Sequence, residues 1–208
     1  ISRILGIEPV MINASLVSAQ NRKRLFWANF PITQPKDRGI LLKDIIEGKN
    51  FNGLYSDYNN AMRIEKSYTI GAGCGVPRSS TFQQVITKPV RIVKIGKGGQ
   101  GDRVYSIEGK SDALSVNGGG RGAKTGLYAV KEFVRKLTPI ECERLQTFPD
   151  NFTEKGIDEK GNEVLISNTQ RYKTLGNAVC VEVVKHIISV FGNNKYVTEL
   201  GFKSGILI

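Results

Sequence analysis

The chain has 208 residues, enough to bury a core as one large domain or two small ones. Its 30 lysines and arginines stand against 19 aspartates and glutamates, a formal net charge of +11 that favours a polyanionic partner. With no apolar run long enough to span a bilayer, nucleic acid is preferred to a membrane surface. Three scattered cysteines, Cys74, Cys142 and Cys180, and a single histidine, His186, offer neither a disulfide framework nor a metal-ligand spacing. A reducing, cytosolic compartment is the default. The sequence begins at Ile1 without a signal peptide or basic targeting arm, which suggests a processed or truncated product.

Residues 9–14 (PVMINA) read as a short buried strand and residues 24–30 (RLFWANF) as a second, aromatic-rich one. Between them lies Gln20-Asn21-Arg22-Lys23-Arg24. On an extended segment Arg22 and Arg24, two apart, point to the same face. There two guanidinium forks suit a phosphate, a carboxylate or a base edge, or simply begin a solvated strand. A helix is expected over residues 40–47, with Leu41, Leu42, Ile45 and Ile46 on one face and Gly48 as its stop. Residues 49–88 lack a sustained period and read as mostly loop. Within them Gly71-Ala72-Gly73-Cys74-Gly75 is no nucleotide loop, because no buried strand leads in and Pro77 follows.

Two glycine clusters then frame a pair of short strand candidates. Val90 and Ile92 alternate with Arg91 in a strand that feeds Gly98-Gly99-Gln100-Gly101, and residues 103–107 return. Further strands are expected at 113–116 and 127–130, on either side of Gly118-Gly119-Gly120-Arg121-Gly122. Glycine lets a loop approach another surface closely, and the first loop projects one long side chain, Gln100. Lys124 and Thr125 suit phosphate oxygens. The two clusters read as a DNA-reading element or as two flexible hairpin tips.

The strongest local signal is Leu137-Thr138-Pro139-Ile140-Glu141: Thr138 caps a helix, Pro139 fits its first position and Glu141 closes a capping box. That helix should end before Pro149. Residues 150–169 read as loop with a short strand at 164–166. From Ala178 to Phe191, Val179, Val183, Val184, Ile187 and Val190 or Phe191 give a helical apolar stripe that stops at Gly192. Cys180 and His186 lie on that run as packing or surface residues, without an acid, base or ligand partner at helical spacing.

Three stretches together resemble the C-terminal half of the bacterial and phage DNA (cytosine-5) methyltransferases. Gln20-Asn21-Arg22-Lys23-Arg24 resembles that family's Q-x-R-x-R motif, Arg135 to Asp150 (RKLTPIECERLQTFPD) its ninth motif, and Arg171 to Val179 (RYKTLGNAV) its tenth. The intervening GKGGQGDRVYS and LSVNGGGRGAKTGLY are similar to the paired recognition loops of its target-recognition domain. The resemblance implies an α+β fold: residues 1–30 end the catalytic domain, 31–136 form a loop-rich, mostly antiparallel recognition domain, and 137–208 carry the last motifs and the C-terminal helix.

It also implies roles. Such enzymes flip a cytosine from double-stranded DNA, attack C6 with a cysteine thiolate and move a methyl group from S-adenosylmethionine to C5. Arg24 would bond the flipped base at O2 and Arg22 would hold the base and nearby loop. Gln100 would fill the vacated hole and satisfy the orphaned guanine. Ser115, Gly118 and Gly119 would contact the site, with Arg103 and Lys124 on bases or phosphates. Asn177, Ala178 and Val179 would lie against the methionine end of the cofactor.

Departures are Ala113 where the family commonly has threonine, Ala178 where serine often follows Gly-Asn, and Thr147 where glycine is usual. The sequence holds no Phe-x-Gly-x-Gly loop, no Pro-Cys nucleophile and no Glu-Asn-Val element; its cysteines follow Gly, Glu and Val. The expectation is a bacterial, cytoplasmic, nucleoid-associated polypeptide that is inactive alone. Its N-terminal catalytic half would be a partner, and the last helix would expose an apolar face on which the isolated chain forms a homodimer. A non-catalytic DNA-binding or regulatory module is the alternative; a basic RNA-associated protein leaves the three motifs unexplained.

Overall fold

The computed structural model describes residues 1–47, 62–63, 89–94, 102–115, 122, 125–130 and 133–192. A single helical turn, α1 (Ser2–Leu5), ends at Gly6 with φ 63° and leads into the antiparallel hairpin of β1 (Val10–Asn13) and β2 (Lys23–Phe26). Alternation decides its faces: Ile12 is buried opposite Arg24, while Met11 and Leu25, also paired, stay exposed. Asn13 shapes the connection. Its side-chain Oδ1 accepts the N–H groups of Ser15 (3.2 Å) and Arg22 (3.0 Å), capping a 3-10 turn at Ala14–Leu16.

The helix expected over 40–47 shrinks to one turn, α2 (Leu42–Ile45). The backbone explains this: Leu42 and Lys43 N–H donate to Gly109 and Ile107 carbonyls, and Glu47 N–H donates to the Glu141 carboxylate, so both ends are tied to distant chain. β-Branched Ile45 and Ile46 add little helix propensity.

A five-stranded sheet follows: β3 (Met62–Arg63), β4 (Arg91–Lys94), β5 (Arg103–Ser106), β6 (Leu127–Val130) and β7 (Phe133–Arg135), in the order β3-β7-β6-β5-β4. Among the strand pairs of this sheet in the described residues, β5 and β6 alone run parallel, which requires the long crossover from Ile107 to Gly126. The sheet is mostly antiparallel, as expected. The strand expected at 113–116 does not form over its described residues, 113–115. Ser111 instead bridges Gln20, and the Ala113 N–H is taken by the Asp112 side chain at 2.9 Å.

α3 (Pro139–Leu145) begins as its sequence dictates. Glu141 N–H donates to Thr138 Oγ1 (3.2 Å) and Thr138 N–H to Glu141 Oε2 (2.8 Å), closing the capping box. Glu141 is also gripped by both ends of the Arg135 fork at 2.7 Å, a buried bidentate pair. A small hairpin, β8 (Lys155–Ile157) with β9 (Glu163–Leu165), occupies part of the expected loop.

α4 (Asn168–Asn177) and α5 (Val181–Gly192) close the described chain. Cys180 thus precedes the last helix rather than lying on it. The stretch Asn168–Phe191 contains a window long and apolar enough to suggest a bilayer span, but it breaks at Ala178, whose ψ is 162°. The 12 residues of α5 rise only about 18 Å, short of the ~30 Å needed.

Among the described residues three apolar clusters result. One gathers Leu42, Tyr105, Leu114, Tyr128, Leu137 and Leu145 with Leu175; a second packs Ile12, Ala14 and Val17 of the hairpin region on Cys180 and Val183; a third joins Val104, Leu127 and Val134 of the five-stranded sheet.

Candidate functional site

Arg22 is where distant segments of the chain meet. Its guanidinium is buried and donates to three carbonyls: Leu114 at 3.1 Å, Gly176 at 2.9 Å and Ala178 at 3.0 Å. One side chain therefore joins the end of the hairpin loop, the segment before Ser115 and the turn between α4 and α5. Burial first, then the neighbouring Arg24 charge, pushes its pKa down. Its Nε has no hydrogen-bond partner among the described residues.

Arg24, two residues on, shares that face and remains exposed; among the described residues its fork donates to the Lys23 carbonyl, at 2.7 Å. Arg22, Arg24 and Phe26 line a shallow depression of about 10 Å³ with Val179, Cys180 and Val183. The two arginines and one of the residues expected to touch the cofactor thus sit side by side. Asn177 ends α4 and is exposed, Val179 is 46% exposed, and the Ala178 N–H is committed to the Thr174 carbonyl at 2.9 Å. These three form the break before the final helix, not its first turn.

Gln146 and Thr147 hold the same break from the other side, and sequence reasoning assigned them no role. Gln146 Nε2 donates to the Leu175 carbonyl (2.7 Å), and the Gln146 carbonyl accepts the Val181 N–H at 2.9 Å. Thr147 Oγ1 donates to the Gln146 carbonyl (2.7 Å) and accepts the Glu182 N–H (3.0 Å), capping α5 from another part of the chain. Thr147 sits at φ 58°, the left-handed region that glycine adopts freely. The departure from glycine at this position is therefore a strained residue whose hydroxyl serves as a helix cap.

A polar cleft opens between the hairpin and the five-stranded sheet, lined by Asn13, Asn21 and Lys23 on one side and Pro89, Arg103, Tyr105 and Asp112 on the other. Arg103 thus faces a cleft with a second cation across it. Ser115 is half-buried one residue beyond Leu114. Gln100, Gly118, Gly119 and Lys124 lie outside the described residues.

Lys110 is a further residue the sequence did not mark. It is fully buried, and its ammonium donates to the carbonyls of Ser15 (2.7 Å), Ser18 (3.1 Å) and Ile40. Cys142 is also fully buried, and burial followed by the charges of Glu141 and Glu143 pushes its thiol well up, away from nucleophilic thiolate. Among the described residues no three His, Cys, Asp or Glu side chains converge as a metal would require.

A family model described as C-5 cytosine-specific DNA methylase matches residues 6–193. The type II methyltransferase M.HhaI of Haemophilus parahaemolyticus is 39% identical over 119 residues, covering 57% of this chain and 33% of its own. The orphan methyltransferase M.SPRI of Bacillus phage SPR is 33% identical over 160 residues, covering 75% of this chain and 33% of its own. In fold, the chain is similar to the Entamoeba histolytica methyltransferase EhMeth, with a TM-score of 0.55 at 12% identity over 93% of this chain and 54% of that one. The chain spans about a third of the length of these two curated relatives.

Proposed function

We propose, on the premise that the chain belongs to the C-5 cytosine-specific DNA methylase family, that it recognises a duplex DNA target and completes an active site for methyl transfer to C5 of cytosine. The observation that carries this reading is the Arg22 clamp, which draws the arginine pair, the recognition segment at Leu114 and the turn at Gly176 to Ala178 to one point. In this reading residues 1–30 close the catalytic domain, 31–136 read DNA and 137–208 return to the catalytic side.

Arg24, exposed beside the depression, is free to bond O2 of a flipped base, while Arg22 is spent on holding the framework around it. Gln100 enters the vacated hole, and Arg103, Ser115, Gly118, Gly119 and Lys124 contact bases or phosphates. S-adenosylmethionine supplies the methyl group. Val179, exposed beside Arg24, and Asn177, exposed at the end of α4, suit its methionine end, whereas Ala178 has already committed its N–H. Most of the cofactor's contacts, the Pro-Cys nucleophile and the acid that protonates the base would come from a catalytic part whose motifs this sequence lacks. The chain alone is then inactive and works in a bacterial cytoplasm at the nucleoid.

The test is methyl transfer from labelled S-adenosylmethionine to duplex DNA, with this chain alone and with a catalytic half carrying the Pro-Cys loop. Activity only in the mixture is expected. Activity of the chain alone overturns the account of the nucleophile; DNA binding without activity in either case favours a non-catalytic DNA-binding module.

A further inference from the structure

Tyr105 and Tyr128 are register partners on the parallel strands β5 and β6, with ring centroids 5.9 Å apart. Both hydroxyls point into the crossover that links those strands, and both reach Asp112. Tyr105 Oη donates to Asp112 Oδ2 at 3.4 Å, and Arg103 lines the same cleft beside them. Tyr128 Oη accepts the Asp112 N–H at 3.1 Å and donates to the Thr125 carbonyl at 2.9 Å. The two tyrosines are buried, and Gly126 admits the second: a Cβ there would sit 3.2 Å from Tyr128 Oη, at a φ of 84°.

The continuous path is Tyr105, Asp112, Tyr128, Thr125. Arg103 stands just after the first glycine cluster in sequence, and Asp112 and Thr125 flank the second. Asp112 and Arg103 also line the polar cleft opposite Lys23 and Asn21. A sheet needs none of this to stand: the tyrosine rings fill the core, whereas their hydroxyls bond to the crossover residues Asp112 and Thr125.

We infer that Tyr105, Asp112 and Tyr128 are positioning residues for DNA sequence discrimination, fixing the cleft wall that carries Arg103 and the flanks of the two glycine-rich segments in one mutual register. The inference rests on the DNA-recognition reading above. It assigns the hydroxyls and the carboxylate to selectivity, leaving bulk affinity to the cationic surface, because phosphate contacts bind without reading sequence.

The experiment incubates the 208-residue chain with a pool of random-sequence duplexes, sequences the bound fraction, and measures affinity for one fixed arbitrary duplex in parallel. Wild type enriches a defined sequence. Tyr105→Phe and Tyr128→Phe are expected to lower that enrichment about tenfold, the equivalent of one well-made hydrogen bond, at unchanged affinity for the arbitrary duplex. Asp112→Ala behaves alike, while Asp112→Asn, which keeps an acceptor for Tyr105, retains the preference. Tyr128 is fully buried, so circular dichroism accompanies each variant, and if Tyr128→Phe unfolds the outcome is read from Tyr105→Phe and the Asp112 pair. Enrichment preserved in folded Tyr105→Phe and Asp112→Ala overturns the relay alone. A wild type that binds DNA without enriching any sequence, or not at all, overturns the recognition reading and the relay with it.

Discussion

Thr147 shows how one side chain carries two opposing terms. A β-branched residue at φ 58° costs about 1–2 kcal/mol against glycine. Its hydroxyl returns a helix cap of similar size, about 0.5–2 kcal/mol, by accepting the Glu182 N–H. Thr147→Gly should therefore change stability by less than about 1 kcal/mol, whereas Thr147→Val, which keeps the strain and loses the cap, should cost about 1–3 kcal/mol. Urea unfolding of both variants decides it; a Val variant as stable as wild type rules out the cap. Glu143 gives a second case. Burial alone would raise its pKa, but hydrogen bonds from Thr153, then the Arg171 pair at 2.9 Å, outweigh that and hold it below the usual range. A carboxylate lowered on folding contributes stability that is full above its unfolded value, about 4.3, and disappears as pH falls through the folded value. Glu143→Gln should cost about 3–5 kcal/mol at neutral pH by stranding Arg171, and thermal midpoints of the two proteins should converge below about pH 4. A gap unchanged down to pH 2 contradicts this. At this scale the sequence revealed only what is local: Thr138 and Glu141 lie three apart and announced their capping box. The three carbonyls that occupy Arg22 come from residues 114, 176 and 178, which no spacing around Arg22 predicts.

Elements were legible where their own residues decide them. β5, β6 and the start of α3 follow alternation or caps. The strand expected at 113–116 failed because burial of Leu114 satisfies the apolar signal while the backbone bonds go elsewhere, to Asp112 and Arg22. α4 went unseen because its sequence is polar, although Ser167 followed three residues later by Gln170 was a start signal, and the Gln170 N–H does meet Ser167 Oγ at 3.4 Å. β8 hid behind Gly156 at its centre. What binds elements together was less legible still. Lys110 ties the 3-10 turn at Ala14–Leu16 and residue 40 to the β5–β6 crossover through three carbonyls, without a carboxylate among its hydrogen-bond partners. Replacing it by methionine keeps the volume and strands those oxygens. Lys110→Met should lose about 2–3 kcal/mol, with hydrogen exchange accelerating first at Leu42 and Lys43, whose N–H groups bond the same crossover. A loss under about 0.5 kcal/mol would show that the carbonyls find other donors.

At the scale of the molecule, two surfaces oppose each other in chemistry. The net charge of +11 keeps copies of the chain apart, while the hairpin and the last helix present apolar area to solvent. Met11 and Leu25, cross-strand neighbours, are 45% and 50% exposed. On α5 the buried Val183 and the half-buried Ile187 are each followed by an exposed position, Val184 and Ile188, about 100° further round the helix, with Phe191 completing that stripe at one turn's spacing. Each exposed side chain left in water forgoes about 1.5–3 kcal/mol that burial would return, so three or four covered at once offset the cost of bringing two chains together. Charge repulsion is screened within a Debye length of about 8 Å at physiological salt, while apolar association is not weakened by salt. The isolated chain should therefore self-associate more readily as salt rises, the reverse of its binding to DNA, which should weaken with salt through counterion release. Sedimentation velocity across a salt series, on wild type and on the double variant Leu25→Lys with Ile188→Lys, separates the two. Mass rising with salt in wild type and constant in the variant is the expected pattern; a wild-type monomer at every concentration and salt means that these apolar stripes do not pair with each other.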